Sequence, residues 1–256
     1  MAGYEVEGIR KAFAALRILA ASPQPLSTTE ISRSLGVSKA TAFRLMHTLA
    51  IEGVAKKDAK TKAYRLGPDL AHLGHAAVQA FDLRREATPI MEALTSTLGL
   101  PTFLNVAGSR EVVCIEHVAS LSNLDLYGRA GRTMPYHACP SGYVLLSWSD
   151  EGLLDQVADG PLERFASKTP SSRVELERIL DETRSHGYAY ADSDLEEGVS
   201  SIAAPIFGPQ GTVIASLGIA GFSVMIDDRH QEIASELTTA AAKISWIGSD
   251  SLSTTA

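Results

Sequence analysis

The sequence predicts an α+β protein in two parts: a small helical first quarter that ends in a hairpin, and a larger part built on a mostly antiparallel sheet with helices. Three observations carry this. Hydrophobic spacing is helical up to about residue 52 and changes to short alternating runs after Pro101. Gly67-Pro68 breaks the chain between the two textures. The formal net charge of −7 is divided unevenly: residues 1–66 hold 11 Lys+Arg against 5 Asp+Glu, and the remainder holds 12 against 25. A basic segment attached to an acidic remainder implies two jobs, with a polyanion meeting the first.

Composition excludes several classes. The chain has 256 residues, 45% hydrophobic and 21% charged, which is ordinary globular usage rather than disorder, collagen or coiled-coil fibre. Cys114 and Cys139 are the only cysteines, too few for a disulfide framework or a four-thiolate zinc site. The first residues are polar and acidic, unlike a signal peptide. The most apolar long stretch, Ile202 to Gly221, is interrupted by Pro205, Gly208, Pro209 and Gly211, so it is no membrane helix. A cytoplasmic protein with no membrane partner is expected.

The first quarter reads as helix, helix, turn, helix, hairpin. Ile9, Phe13, Leu16 and Leu19 recur at helical spacing over 9–21, and Ser22-Pro23-Gln24-Pro25 ends that helix. Ser27 followed by Glu30 is a capping-box pattern opening a short helix that turns Ile31 and Leu35 inward and stops at Gly36. Ser38 then caps a helix over about 39–52. Two helices joined by a short glycine turn make a helix-turn-helix. Projected at 100° per residue, the last helix puts Ala42, Leu45, Met46 and Leu49 toward the core and Ala40, Arg44 and His47 opposite, with Thr41 and Phe43 on the shoulders. Short strands at 54–57 and 63–66, joined by the lysine-bearing loop 58–62, form a wing.

Beyond Gly67-Pro68, helical spacing runs over Leu70, Leu73, Ala77 and Phe81, then over Leu83, Ala87, Ile90, Leu94 and Leu98 to Gly99, with Pro89 as a kink or an early N-terminus. Strands are expected at 102–107, 111–118 and 124–127, followed by a loop or short strand at 129–137. Helices are expected at 138–147, 150–157 and 171–186. Three more strands, at about 188–192, 199–207 and 212–220, precede a last helix over 227–247 and a loose tail, 249–256. The domain boundaries expected are 1–67, a linker helix 68–82, and a second domain 83–248.

The run LSTTEISRSLGVSKATAFRLMHTLAIEGVA, the wing ending AYRLG and the later GYAYADSDLEEGVSSIAAPI together resemble IclR-type transcriptional regulators over roughly residues 9 to 247. The resemblance implies a winged helix-turn-helix joined to an effector domain shaped like GAF and PAS modules. It implies a homodimer or a dimer of dimers on a pseudo-palindromic double-stranded DNA operator, controlled by a small organic acid. No cofactor is implied.

For DNA, Arg44 is the candidate for a bidentate guanine contact, with His47 and Thr41 beside it and Ala40 placed for a thymine methyl. Ser27, Thr28, Ser38, Lys39, Lys57 and Lys62 read as phosphate contacts, which position without specifying. The alternative for Arg44 is a surface ion pair with Glu30 or Glu52. For the effector, the resemblance implies a floor from MPYHACPSGYVLL and walls from GYAYADSDLEEGVSSIAAP and ASLGIAG. The candidates are therefore Met134, His137, Ala138, Pro140, Ser141 and Gly142 on the floor, and Ala191, Asp192, Asp194, Ser201, Ile202, Gly218 and Ala220 on the walls, with Tyr127 adding contact area. In the family, amides at the start of the floor helix hold a carboxylate; here Pro140 has no N–H, so Ser141 and Gly142 would compensate. The family often has an acid at Ala191, cysteine at Ser201 and hydroxyls at Gly218 and Ala220. Fewer polar groups suggest a bulkier aromatic or alkyl acid.

Two other functions are open at this point. A hydrolase would use Cys139 or Ser141 with His137, although no nucleophile elbow or zincin motif is present. A ligand-independent DNA binder would leave the acidic second domain without a use. His137 and Cys139, two residues apart, suit neither a helical metal face nor a Cys₂His₂ site, and Cys114 and Cys139 could join His117 around a zinc only by an accident of folding.

Overall fold

The computed structural model describes residues 6–79, 83–120, 130–208 and 210–251. The strand expected at 124–127, with Tyr127, lies outside them. The chain divides into two compact units, residues 1–80 and 81–256.

The first unit follows its capping chemistry. Helix α1 (Glu7–Ala21) is followed by α2 (Thr28–Leu35), α3 (Lys39–Ile51), the strands β1 (Ala55–Lys57) and β2 (Tyr64–Leu66), and α4 (Asp69–Gln79). The Ser27 hydroxyl accepts the Glu30 N–H, and the Glu30 carboxylate accepts the Ser27 N–H at 2.8 Å, so both halves of the capping box are formed. Gly36 ends α2 at φ +64°, in the left-handed region that a side chain disfavours. Ser38 caps α3 by accepting the Thr41 N–H at 3.1 Å. Ala15, Leu19, Ile31, Met46 and Tyr64 form the core, and β1 pairs antiparallel with β2.

One face differs from the expected stripe. Ala15 and Leu19 of α1 are buried with Ala12 and Leu16 packed beside them, whereas Ile9 and Phe13 are more than half exposed. The buried line runs through the alanines, whose small side chains let α1 come close to its neighbours.

The second unit is a six-stranded antiparallel sheet. In chain order it contains α5 (Leu83–Leu98), β3 (Thr102–Ala107), β4 (Val112–Val118), β5 (Thr133–Met134), a 3-10 turn (Tyr136–Ala138), α6 (Pro140–Ser147), α7 (Glu151–Val157), α8 (Arg173–His186), β6 (Ala189–Asp192), β7 (Val199–Phe207), β8 (Val213–Phe222), α9 (Ser223–Ile226), a second 3-10 turn (Asp227–Arg229) and α10 (His230–Ser251). The strands lie in the order β5-β4-β3-β8-β7-β6. Side chains alternate between faces. Leu104, Ala204, Ile206 and Leu217 pack with Met91 of α5 and Leu237 of α10, while Ala189, Ala191 and Ala203 pack with Tyr143 of α6 and Leu180 of α8. Helices thus cover both faces.

Three expectations need correction. Helix α5 starts at Leu83 and runs through Pro89, so Pro89 is not its N-terminus. The last helix does not begin at Asp227: its carboxylate accepts the hydroxyls of Ser200 (2.6 Å) and Tyr190 (2.9 Å), which hold it in the 3-10 turn against the sheet edge, and α10 starts at His230. That helix also continues into the stretch expected as tail, to Ser251. Among the described residues no helix is long and apolar enough to cross a membrane.

Candidate functional site

Each unit carries a surface with chemistry. In the first, α3 leaves Ala40, Phe43, Arg44 and His47 exposed and Thr41 half-buried, while Ala42, Met46 and Leu49 are buried. The Phe43 and His47 rings stack at 5.9 Å, and Lys57 of the wing places Nζ 5.4 Å from the Phe43 centroid and 5.2 Å from that of Tyr64. A wing cation is thereby fixed beside the exposed helix face. Thr28, Lys39, Ala40, Phe43 and Arg44 border one shallow concavity. Arg44 is in no ion pair among the described residues, and Glu30 spends its carboxylate on Ser27. The hydroxyls of Ser27 and Ser38 are engaged in capping, so what each helix start still offers is backbone. At the wing tip Asp58 accepts the Lys60 and Thr61 N–H groups, and these hydrogen bonds hold its carboxyl below the usual range. Lys62 follows in the left-handed region at φ +60°.

The second unit holds a pocket of about 580 Å³, counted to its open mouth. Met134, Pro140, Ser141, Ala191, Asp194, Ser201, Ile202, Gly218 and Ala220 all line it. Four other candidates do not. His137 is buried with Nε2 2.9 Å from the Glu163 carbonyl, and Ala138 is buried in the 3-10 turn. Gly142 packs on the backbone of Tyr136, where a Cβ would come within 2.0 Å of the Tyr136 carbonyl oxygen, and its N–H goes to Cys139 Sγ at 3.4 Å. Asp192 is next to Ala191 on β6, so the pleat turns it to the opposite face. There it pairs with Lys168, accepts the hydroxyls of Ser193 and Ser223, and is held below the usual carboxylate range by Lys168.

The lining also includes residues the sequence reading did not single out. Phe103, Cys114, Val199 and Leu195 form an apolar wall with Ala220. Asn105 is 1% exposed and donates from Nδ2 to Ser141 Oγ at 2.9 Å. Arg132 and Glu196 complete the polar part of the lining. Phe103 and Asn105 sit two apart on β3 and so share a face, a period-2 signal that a polar residue inside an apolar strand makes visible. Asp194, 8% exposed, accepts the Tyr143 hydroxyl, and burial pushes its carboxyl up to about 6.

No nucleophile and base meet here. Burial pushes the Cys139 thiol up to about 12 and the Cys114 thiol to about 11, His137 is bonded to Glu163, and Ser141 Oγ is bonded to Asn105.

A basic winged helix-turn-helix in one chain with an α+β unit around a mostly apolar pocket carrying a few polar groups defines a ligand-responsive DNA-binding regulator. Comparison with known proteins makes this specific. Residues 8–59 match the IclR helix-turn-helix domain, and residues 75–246 match the bacterial transcriptional regulator IclR C-terminal domain. The chain is 32% identical to the HTH-type transcriptional regulator KdgR of Escherichia coli, over 94% of this chain and 92% of that protein. It superposes on an IclR transcriptional regulator from Alicyclobacillus acidocaldarius with a TM-score of 0.82 at 26% identity, covering 96% of this chain and 100% of that one. An IclR homolog from Microbacterium hydrocarbonoxydans, solved with 4-hydroxybenzoate, shares the fold with a TM-score of 0.79 at 24% identity, over 94% of this chain and 98% of that one. The chain belongs to the IclR family of transcriptional regulators, and the hydrolase reading falls.

Proposed function

We propose that this regulator works in the cytoplasm as a homodimer or dimer of dimers on a pseudo-palindromic duplex operator, and that a small organic acid with an apolar, preferably aromatic, body fills the pocket of the second unit. The pocket carries the reading: its walls are mostly apolar with a few polar groups among them, the lining that an apolar acid needs. The Microbacterium homolog's 4-hydroxybenzoate supports an aromatic acid. Arg44 reads a base edge with His47, Thr41 and Ala40 beside it, Phe43 braces Lys57, and Thr28, Ser38, Lys39, Lys57 and Lys62 meet phosphates, Ser38 through its backbone N–H; Ser27, whose hydroxyl and N–H are both spent on Glu30, serves that surface by fixing the start of α2. Residues 68–82 link domain 1–67 to domain 83–248. Effector binding shifts operator affinity by favouring one of two arrangements of paired winged units, which requires different affinities for the two.

The test is a salt titration of operator binding using duplex from the regulator's own locus, with and without benzoates. Log affinity is expected to fall linearly with log salt, and a binding acid to change both the melting temperature and the operator affinity. Salt-insensitive or absent retention of duplex overturns the DNA reading. Acids that raise the melting temperature without moving operator affinity overturn the coupling.

A further inference from the structure

The polar end of the pocket is unusual for a site that takes an acid. Of the first three residues of α6, Pro140 lacks an N–H and Gly142 gives its N–H to Cys139 Sγ. The helix start therefore offers few donors for a carboxylate. What stands beside it is a pair of neutral side chains. Asn105 and Ser141 are 1% and 6% exposed, and both line the pocket. Nδ2 of Asn105 donates to Ser141 Oγ at 2.9 Å, while Asn105 Oδ1 is buried with no hydrogen-bond partner among the described residues. Ser141, having accepted that bond, keeps its own proton to donate. Gly218 lies against both: a Cβ there would stand 3.3 Å from Ser141 Oγ and 3.5 Å from Asn105 Nδ2. Glycine leaves the pair open where any side chain would cover it.

We propose that Asn105 and Ser141 form a hydroxyl-reading subsite, so that the effector is a hydroxylated acid whose hydroxyl donates to Asn105 Oδ1 and accepts from Ser141 Oγ–H. This rests on the acid reading above and adds which acid. The pair offers one acceptor and one donor, and a hydroxyl is the small group that answers both. Turning the amide over leaves the same complement: Ser141 then donates to Oδ1, its lone pair accepts, and Nδ2 donates. A carboxylate or ketone only accepts, and leaves Oδ1 unpaired. A methyl group leaves both unpaired. Asp194 adds a second acceptor to the same lining.

The experiment is calorimetric titration of the full chain with matched pairs that differ only by hydroxyl against methyl or hydrogen, drawn from benzoates (4-hydroxy against 4-methyl) and from C4 to C6 alkanoates. Each pair is measured on the wild type, Asn105→Leu and Ser141→Ala. A hydroxyl left without its buried partners costs about tenfold or more in affinity. The hydroxylated member of the binding pair is expected to win by that factor in the wild type, and the preference is expected to collapse toward onefold in the variants. Ser141→Ala, a smaller change in a helix, carries the test if Asn105→Leu does not fold. Equal affinities in the wild type, a preference that survives both variants, or binding confined to unhydroxylated acids overturns the subsite. So does failure of every hydroxylated member to bind. The amide of the winning compound separates the two readings: if it binds as tightly as the acid, the acid reading fails and the hydroxyl subsite stands.

Discussion

The two functional surfaces are built on opposite principles. The face of α3 is a set of exposed side chains whose neighbours are solvent and one wing lysine, carried by a small core that lies on the other side of the helix. The pocket is made of residues that are themselves largely buried, drawn from all six strands and the start of α6. On the first surface a side chain can change without disturbing what holds the unit together. On the second, most groups that would touch a ligand also hold strands and helices in place. Substitutions in the pocket should therefore move stability and function together, and substitutions on α3 should move function alone.

The largest effect expected is at Gly142. Alanine there brings Cβ within 2.0 Å of the Tyr136 carbonyl oxygen, a backbone atom that cannot swing aside. The start of α6 must shift, and overpacking of this kind costs about 3 kcal/mol. Both tryptophans, Trp148 and Trp246, belong to the second unit, so tryptophan fluorescence during urea unfolding reports on that unit. Gly142→Ala should lower its midpoint sharply. An unchanged midpoint would show that the packing behind the pocket yields as freely as a surface loop, and the contrast between the two regions would fail.

Next comes Asp194. Its carboxyl is raised by burial from an ordinary 3.8 to about 6. Between those values the folded chain keeps a proton that the unfolded chain has lost. Stability therefore declines as pH rises from about 4 to about 6, and the full penalty persists above that window. A shift of this size corresponds to about 3 kcal/mol. Asp194→Asn removes the charge while leaving an oxygen for the Tyr143 hydroxyl. The variant should match the wild type near pH 4 and exceed it increasingly up to pH 7 in the same fluorescence assay. A gap independent of pH would assign the difference to packing instead.

These two residues also show what a sequence can and cannot reveal. The capping box at Ser27 and Glu30, the Ser38 cap and the face of α3 are local, because each depends on residues three or four apart, and all are where the spacing puts them. The pocket depends on strand register. Asp192 and Asp194 stand two apart in one acidic run, yet the pleat and the left-handed turn at Ser193 send Asp192 to Lys168 and bury Asp194 beneath Tyr143. Asn105 meets Ser141 across 36 residues, a contact no local pattern announces. The alanine side of α1 was hidden for a related reason: size alone favours Ile9 and Phe13 as core, and close helix approach prefers Ala12 and Ala15.

The smallest effects lie on the winged unit, and they sharpen the comparison by separating two kinds of contact. If Arg44 reads a guanine, Arg44→Ala should lose about tenfold in preference for operator over random duplex, with its stability unchanged within about 0.5 kcal/mol. Lys62 stands at the wing tip in the left-handed region, and alanine keeps the same Cβ and the same backbone strain there. Only the charge is removed. Lys62→Ala should weaken operator and random duplex by the same few-fold factor, and flatten the dependence of log affinity on log salt by about 1. The two variants must therefore differ in kind: one changes the ratio of affinities at constant salt slope per phosphate, the other changes the slope at constant ratio. If Lys62→Ala altered the operator preference while Arg44→Ala left it intact, base reading would belong to the wing and the helix face would be the part that grips the backbone.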